Sequence, residues 1–316
     1  MICRIPGLKG MERIELEKKF DREEDFLLLS KKDIEELLGR RMEGEPWTIP
    51  QIRSLAEKDA GMTLKLGIHI VSWRESGYPP LLREIFDPPA LLFYRGLLPN
   101  PEKPLVAVVG TRKPSSQASA RAFYLGRELG EAGIPVVSGL ALGIDAMAHR
   151  GNIEGKAPTI AVLGSGVDNV YPASNRALAR RILETGGAIL SEYPPGTAPL
   201  KWNFPARNRI ISAMARGTVI VEAPEKSGAL ITARFALDQG RDLWVDSAGV
   251  RSRRGAGTAR LAEDGAIVIS SARDILAEWN MEGPGSEGIY GQERQTENVK
   301  ASLVSSLAEY LDIKRK

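Results

Sequence analysis

The sequence predicts an α/β protein whose doubly wound, mostly parallel sheet stands behind a small helical unit, and two observations carry that expectation. After Pro104 seven short apolar runs follow one another: Leu105 to Val109, Ile134 to Val137, Thr159 to Leu163, Ala188 to Leu190, Thr218 to Val221, Asp242 to Val245 and Ala266 to Ile269. Their interiors do not alternate apolar with polar residues, which is the mark of strands covered on both faces. Between them lie segments of helical spacing, as in Ala118, Ala122, Leu125, Leu129 and Ala132, where Gly133 ends the stripe. Strands alternating with helices in this way build a parallel sheet with helical crossovers. Residues 104–282 are read as one such domain.

The remaining segments have a different character. In residues 1–70, Ile34, Leu37 and Leu38 follow Asp33, and Ile52, Leu55 and Ala56 follow Pro50, so short amphipathic helices are expected. Residues 71–103 turn to prolines and aromatics, in Tyr78-Pro79-Pro80 and Asp87-Pro88-Pro89, and read as an extended connector packed on the core. Residues 283–316 read as a polar linker followed by one amphipathic helix through Val299, Leu303, Leu307 and Tyr310.

Composition sets the outer bounds. A chain of 316 residues with 43% apolar content has ample material for a core and exceeds the usual size of a single domain. The net charge of +3 leaves nucleic acid neither demanded nor excluded, so the placement of the cations decides. Cys3 is the one cysteine and His69 and His149 are the two histidines, which argues against a disulfide framework and against a zinc site. No metal and no cofactor are expected. The first twenty residues lack the apolar stretch of a signal peptide and no later segment is apolar for a bilayer's width, so a soluble, cytoplasmic protein without membrane contact is expected.

The densest motif is Lys201-Trp202-Asn203-Phe204-Pro205-Ala206-Arg207-Asn208-Arg209. Lys201, Arg207 and Arg209 offer phosphate contacts, Trp202 and Phe204 offer stacking faces, and Asn208 is able to read or brace, a mixture suited to single-stranded nucleic acid. The alternative is that Trp202 and Phe204 are core aromatics from which the arginines snorkel. A second motif, Gly110-Thr111-Arg112-Lys113, ends the first strand of the alternation. There, glycine permits close backbone approach and Arg112 and Lys113 face the ligand crevice of a doubly wound sheet. Neither a GxGxxG nor a GxxxxGK[ST] accompanies it, so dinucleotide and P-loop readings are weak.

Three further turns end strands. Ser138-Gly139 opens the turn that runs to Asp145, with His149 one helical turn later: either an oriented pair or, more simply, a helix-dipole partner and a packed ring. Ser227-Gly228 stands at a helix start, where backbone N–H groups donate to a phosphate. Glu192 and Glu222 both end strands, and are either a carboxylate pair or ion-pair partners of Arg207 and Arg209. No catalytic residue is assigned. Arg251 to Arg254 form a last basic cluster, either a second contact or a solvated loop.

Taken in order, Gly110-Thr111-Arg112, Ser138 to Ala146 with His149, Tyr171-Pro172, Ser191 to Pro194, Phe204 to Ser212 and Ser227 to Ala233 closely resemble the DprA (Smf) family. The resemblance spans the α/β region and takes in Tyr78-Pro79 and Asp87-Pro88-Pro89 before it. It implies an extended Rossmann-like fold behind a unit similar to a sterile alpha motif. It also implies a non-catalytic mediator of natural transformation and recombination that binds and protects single-stranded DNA, forms a homodimer and helps load the RecA recombinase. By the same resemblance, Arg112 is the phosphate-gripping arginine, Lys201 the pocket lysine and Phe204 the aromatic near the base. With Gly110, Lys113, Ser138, Gly139, Arg207, Asn208, Arg209, Ser227 and Gly228 these make the expected DNA-binding set. Val245-Asp246-Ser247-Ala248-Gly249 departs from the family's Val-Pro-Gly turn, and the tail is too short for the winged-helix-like domain that many members carry. The alternative function is a nucleotide-processing enzyme that uses the same crevice.

Overall fold

The computed structural model of the protein describes residues 1–20, 23–42 and 47–281. The expected linker and terminal helix of 283–316 lie outside the described residues. Within them nine strands form one sheet: β1 (His69–Ser72), β2 (Leu91–Gly96), β3 (Val106–Val109), β4 (Val136–Ser138), β5 (Ile160–Val162), β6 (Ala188–Ser191), β7 (Gly217–Ile220), β8 (Asp242–Asp246) and β9 (Ile267–Ile269). Their order is β1-β2-β6-β5-β4-β3-β7-β8-β9. From β6 across to β9 every pairing is parallel, while β2 runs antiparallel to both β1 and β6.

All seven apolar runs after Pro104 are strands, and their burial explains the missing alternation. Val106 and Val108 of β3 join a core cluster with Leu125, Leu129 and Trp244, whereas Ala107 and Val109 join one with Ile210, Ile211 and Leu230 on the opposite face. Successive side chains point to opposite faces, and each face is covered by helices, so each position is apolar. Helices Ser116–Glu131, Ile144–Glu154 and Ala272–Glu278 cover the first face; Asn203–Met214 and Gly228–Asp238 cover the second.

Residues 71–103 do more than lie over the core, because they enter the sheet. Phe93 pairs with Ser191 and Tyr94 with Leu190, which extends the parallel sheet by two antiparallel strands. The prolines that suggested a connector stand outside these strands, and Leu92 and Phe93 between them are buried. Antiparallel addition needs no helical crossover, so a run this short suffices.

The N-terminal residues form helices Gly10–Lys19, Glu23–Leu27, Lys31–Leu38 and Ile49–Leu66 around Ile5, Leu16, Phe26, Ile34 and Ile52. Ser30 and Thr48 start two of them with capping boxes, their side chains accepting from Asp33 N and Gln51 N. Asp87 ties this unit to the sheet: it accepts from Gly10 N at 2.6 Å and from Arg209 Nε at 3.3 Å. Among the described residues no helix is long and apolar enough to cross a membrane.

The order of the strands fixes where a ligand fits. The chain steps outward from β3 through β4 and β5 to β6, then returns to place β7 on the other side of β3. The helices that follow β3 and β7 leave on opposite faces, so a crevice opens at the carboxyl ends of these two strands.

Candidate nucleic-acid interface

A cavity of about 1050 Å³ occupies that crevice. Its walls come from Gly110 to Lys113 after β3, Tyr171 after β5, Lys201 and Phe204 at the start of helix Asn203–Met214, Lys226 to Gly228 after β7, and Arg254. Five of the lining residues, Arg112, Lys113, Lys201, Lys226 and Arg254, are exposed cations, whereas the lining carboxylate, Asp145, is buried. Low-dielectric walls bearing one sign of charge concentrate the field, so the cavity attracts anions.

The loop that carries Arg112 is held at both ends. Thr111 N donates to Glu222 O at 2.7 Å, and Thr111 O accepts from Ile144 N at 3.2 Å. At Gly110 a Cβ would stand 2.6 Å from Ile144 Cγ1 and 2.9 Å from Glu222 O, so only glycine lets the three segments meet. Glu222 itself is fully buried. Its carboxylate accepts from Ser115 N at 2.7 Å, from Ser115 Oγ at 2.8 Å and from Ser252 Oγ. Ser115 also caps helix Ser116–Glu131 by accepting from Ala118 N, so one carboxylate fastens the end of β7 to that helix start and to the loop bearing Arg254. An ion pair of Glu222 with Arg207 or Arg209 was one expectation; serine hydroxyls and a backbone N–H take that place.

Four members of the expected contact set are engaged within the protein, and of these Arg207 also lines the cavity. Ser138 is buried in β4 and donates from Oγ to Val108 O at 2.6 Å. Arg207 is buried, with Nη1 donating to Gly139 O at 2.9 Å and to Val162 O, so it staples the ends of β4 and β5. Gly139 is glycine because Arg207 fills the space beside it: a Cβ would lie 2.7 Å from the guanidinium carbon. Arg209 donates to both oxygens of Glu192 at 2.8 and 2.6 Å and pairs with Asp87. Glu192 is thus half of an internal ion pair, as one of its two readings held.

The charges beneath the cavity shift one another. Burial lowers the Arg207 pKa to about 10 against the pull of Asp145, and it stays charged at neutral pH. Burial raises the Asp145 carboxyl, and Arg207 and the N–H groups of Ala141 and Gly139 oppose that rise. His149 is fully buried, and its pKa falls to about 3 through burial and then the charge of Arg207. Its Nδ1 lies 2.7 Å from Thr159 Oγ1, and that hydroxyl gives its proton to Val136 O at 2.7 Å. The imidazole is therefore the neutral Nδ1–H tautomer, donating to Thr159, a packed ring rather than a proton carrier.

The remaining expected residues face the cavity. Arg112 and Lys113 are exposed, and the Arg112 guanidinium carbon lies 5.4 Å from the Phe204 ring centroid. Lys201 is exposed and Phe204 half-buried. Asn208 donates to Gly228 O at 3.2 Å and accepts from Arg207 Nε at 3.3 Å, joining the two helices of that wall. Ser227 caps its own helix by accepting from Ala229 N at 3.2 Å. Gly228 is the open position: a Cβ there would meet nothing within 4 Å, so no internal contact demands its absence. Trp202 is 70% exposed but does not line the cavity.

Residue typing did not single out Lys226, Arg254 or Tyr171 as site residues. Lys226 precedes the Ser227-Gly228 helix start, and that position was the available signal. Arg254 sat in a cluster with two equally open readings, and the Ser252–Glu222 bond is what brings it to the rim.

The model of the family described as DNA recombination-mediator protein A matches residues 69–280. The chain is 40% identical over 215 residues to DNA processing protein DprA of Bacillus subtilis, covering 67% of this chain and 71% of that protein. Among solved structures it is similar to DNA processing protein A of Streptococcus pneumoniae, with a TM-score of 0.71, 33% identity and 88% and 95% of the two chains covered. It is also similar to DNA processing protein A of Helicobacter pylori, a structure concerned with that protein's single-stranded DNA binding mode; there the TM-score is 0.60 and identity 30%, with 67% and 95% covered. A family match over this much of the chain, with the sheet and its switch-point cavity inside it, places the chain in the DNA recombination-mediator protein A family.

Proposed function

We propose that the chain binds single-stranded DNA in the cavity at the ends of β3 and β7 and works in the cytoplasm as a recombination mediator, without catalysing a reaction. The observation that carries this reading is the pairing of five exposed cations with two adjacent aromatic rings, Phe204 and Tyr171, around one cavity in which the carboxylate is buried. Cations track a phosphate backbone and rings stack on unpaired bases, whereas a duplex hides its base faces. Arg112 is the leading phosphate ligand, since its planar fork suits two phosphate oxygens and its loop is already fixed. The Helicobacter pylori relative supports the choice of single-stranded DNA.

Against the enzyme alternative stand two side chains of acid–base type close to the cavity. Glu222 spends its oxygens on Ser115 and Ser252, and His149 is sealed and neutral. RecA loading and a homodimer belong to the same proposal, supported by family membership.

Titration of oligothymidylates of graded length at two salt concentrations tests the reading. Affinity should rise with length until the cavity and its rim are filled, and log affinity should fall linearly with log salt with a slope near −0.7 per phosphate contacted. Equal affinity for a mononucleotide and a long strand, or turnover of a nucleotide, would favour the enzyme. Loading is tested by whether the protein speeds RecA assembly on strands already coated by a single-strand-binding protein.

A further inference from the structure

Of the two aromatic rings that line the cavity, Tyr171 is the more exposed. Arg112 stands over the Phe204 ring, and Phe204 is half-buried. Its seat is tight, for a Cβ at Gly164 would come within 3.1 Å of Phe204 Cδ1. Tyr171 is 47% exposed, lines the same cavity, and packs against Phe204 with ring centroids 5.6 Å apart and planes inclined by 44°. Arg112 and Tyr171 thus both stand against Phe204, the cation over its ring and the tyrosine beside it with nearly half of its own surface exposed.

We propose that Tyr171 is a base-stacking platform for single-stranded DNA, with Phe204 as the ring that backs it and Arg112 as the phosphate ligand beside them. This rests on the cavity being a single-stranded DNA site. A base laid on Tyr171 needs no prior movement of Arg112, whereas a base laid on the Arg112 side of Phe204 must displace the guanidinium. Every base presents a π face, so the platform adds affinity without sequence preference. Stacking releases no counterions, so it also adds affinity without salt dependence.

The test uses the full chain, Tyr171→Leu and Tyr171→Phe, with fluorescence anisotropy on two probes of equal length: an oligothymidylate, and a strand of abasic deoxyribose phosphates. Tyr171→Leu should weaken oligothymidylate binding by roughly 5- to 150-fold with an unchanged salt slope, and bind the abasic strand as the wild type does. Tyr171→Phe should restore wild-type affinity for both probes. An equal loss on the abasic strand, a flattened salt slope, or full affinity in Tyr171→Leu would each overturn the platform while leaving the DNA site standing. Failure of the wild-type chain to bind either strand would overturn the site and the platform together. Thermal unfolding of both variants, with the melting temperature kept, shows that the half-exposed ring is not being read through stability.

Discussion

Two halves of the same sheet end put arginine to opposite uses. At the ends of β4, β5 and β6, Arg207 and Arg209 are consumed by the protein itself, by carbonyls in one case and by Glu192 and Asp87 in the other. At the ends of β3 and β7, Arg112, Lys113, Lys226 and Arg254 stay exposed around the cavity. Arg207 and Lys201 stand six positions apart in one motif, yet one is buried and the other is on the rim. A basic residue in such a motif is therefore open to a ligand only where the fold leaves it exposed. Below the cavity the strand ends offer unpaired carbonyls, and an internal cation satisfies them. At the rim Glu222 is bound by a backbone N–H and two serines, and the cations around it stay exposed.

The largest effect should come from the buried side of this contrast. Arg207→Ala strips the partner from Gly139 O and Val162 O and leaves Asp145 without its counter-charge, so it should cost about 3 to 5 kcal/mol of folding stability. Chemical denaturation measures it. A loss below about 1 kcal/mol accompanied by weakened DNA binding would return Arg207 to the contact set.

On the open side, Arg112→Ala and Lys201→Ala should each weaken single-stranded DNA binding by about 1.5 to 3 kcal/mol, on the scale of a charged hydrogen bond. Each should flatten the salt slope by about 0.7, and stability should stay within about 0.5 kcal/mol of wild type. Destabilisation of either variant by as much as Arg207→Ala would dissolve the distinction between the two halves.

The sealed histidine gives a pH signature to the buried half. His149 titrates near 6.5 when unfolded and at about 3 when folded, so the unfolded chain takes the proton first as pH falls. Its contribution to stability is whole above about pH 6.5 and is lost as pH drops toward 3, with a slope of up to about 1.4 kcal/mol per pH unit. His149→Gln should flatten that slope in denaturation curves taken between pH 7 and pH 4, by an amount read against the wild type. A wild-type slope that survives the substitution would assign the acid sensitivity to other groups.

The smallest effect should be at the rim. Lys226→Gln and Arg254→Gln should each cost about 0.3 to 1 kcal/mol of DNA affinity at low salt, an effect that fades as salt rises. A flatter salt slope in the double variant with unchanged stability would sharpen the contrast; no change at low salt would confine the interface to Arg112 and Lys201.

The sequence by itself determined the α/β class, the seven parallel strands and the place of the cavity, because burial on both faces writes an apolar run and a ligand crevice needs glycine and cations at strand ends. The Gly110 to Lys113 and Ser227-Gly228 turns were legible for that reason. The strand character of 91–96 was not, since its pairing with β6 joins residues about a hundred positions apart and short runs between prolines carry little period. Nor was the sorting of the cations. Local sequence gives Arg207, Arg209 and Arg112 the same chemistry, and only the folded chain decides which of them meets a carbonyl or a carboxylate. Tyr171 and Arg254 reach the cavity by the same long-range route, one backed by Phe204 and the other through Ser252 held on Glu222. Hydrophobic periodicity is a local property of the chain, but the satisfaction of polar groups is a property of which segments the tertiary structure brings together.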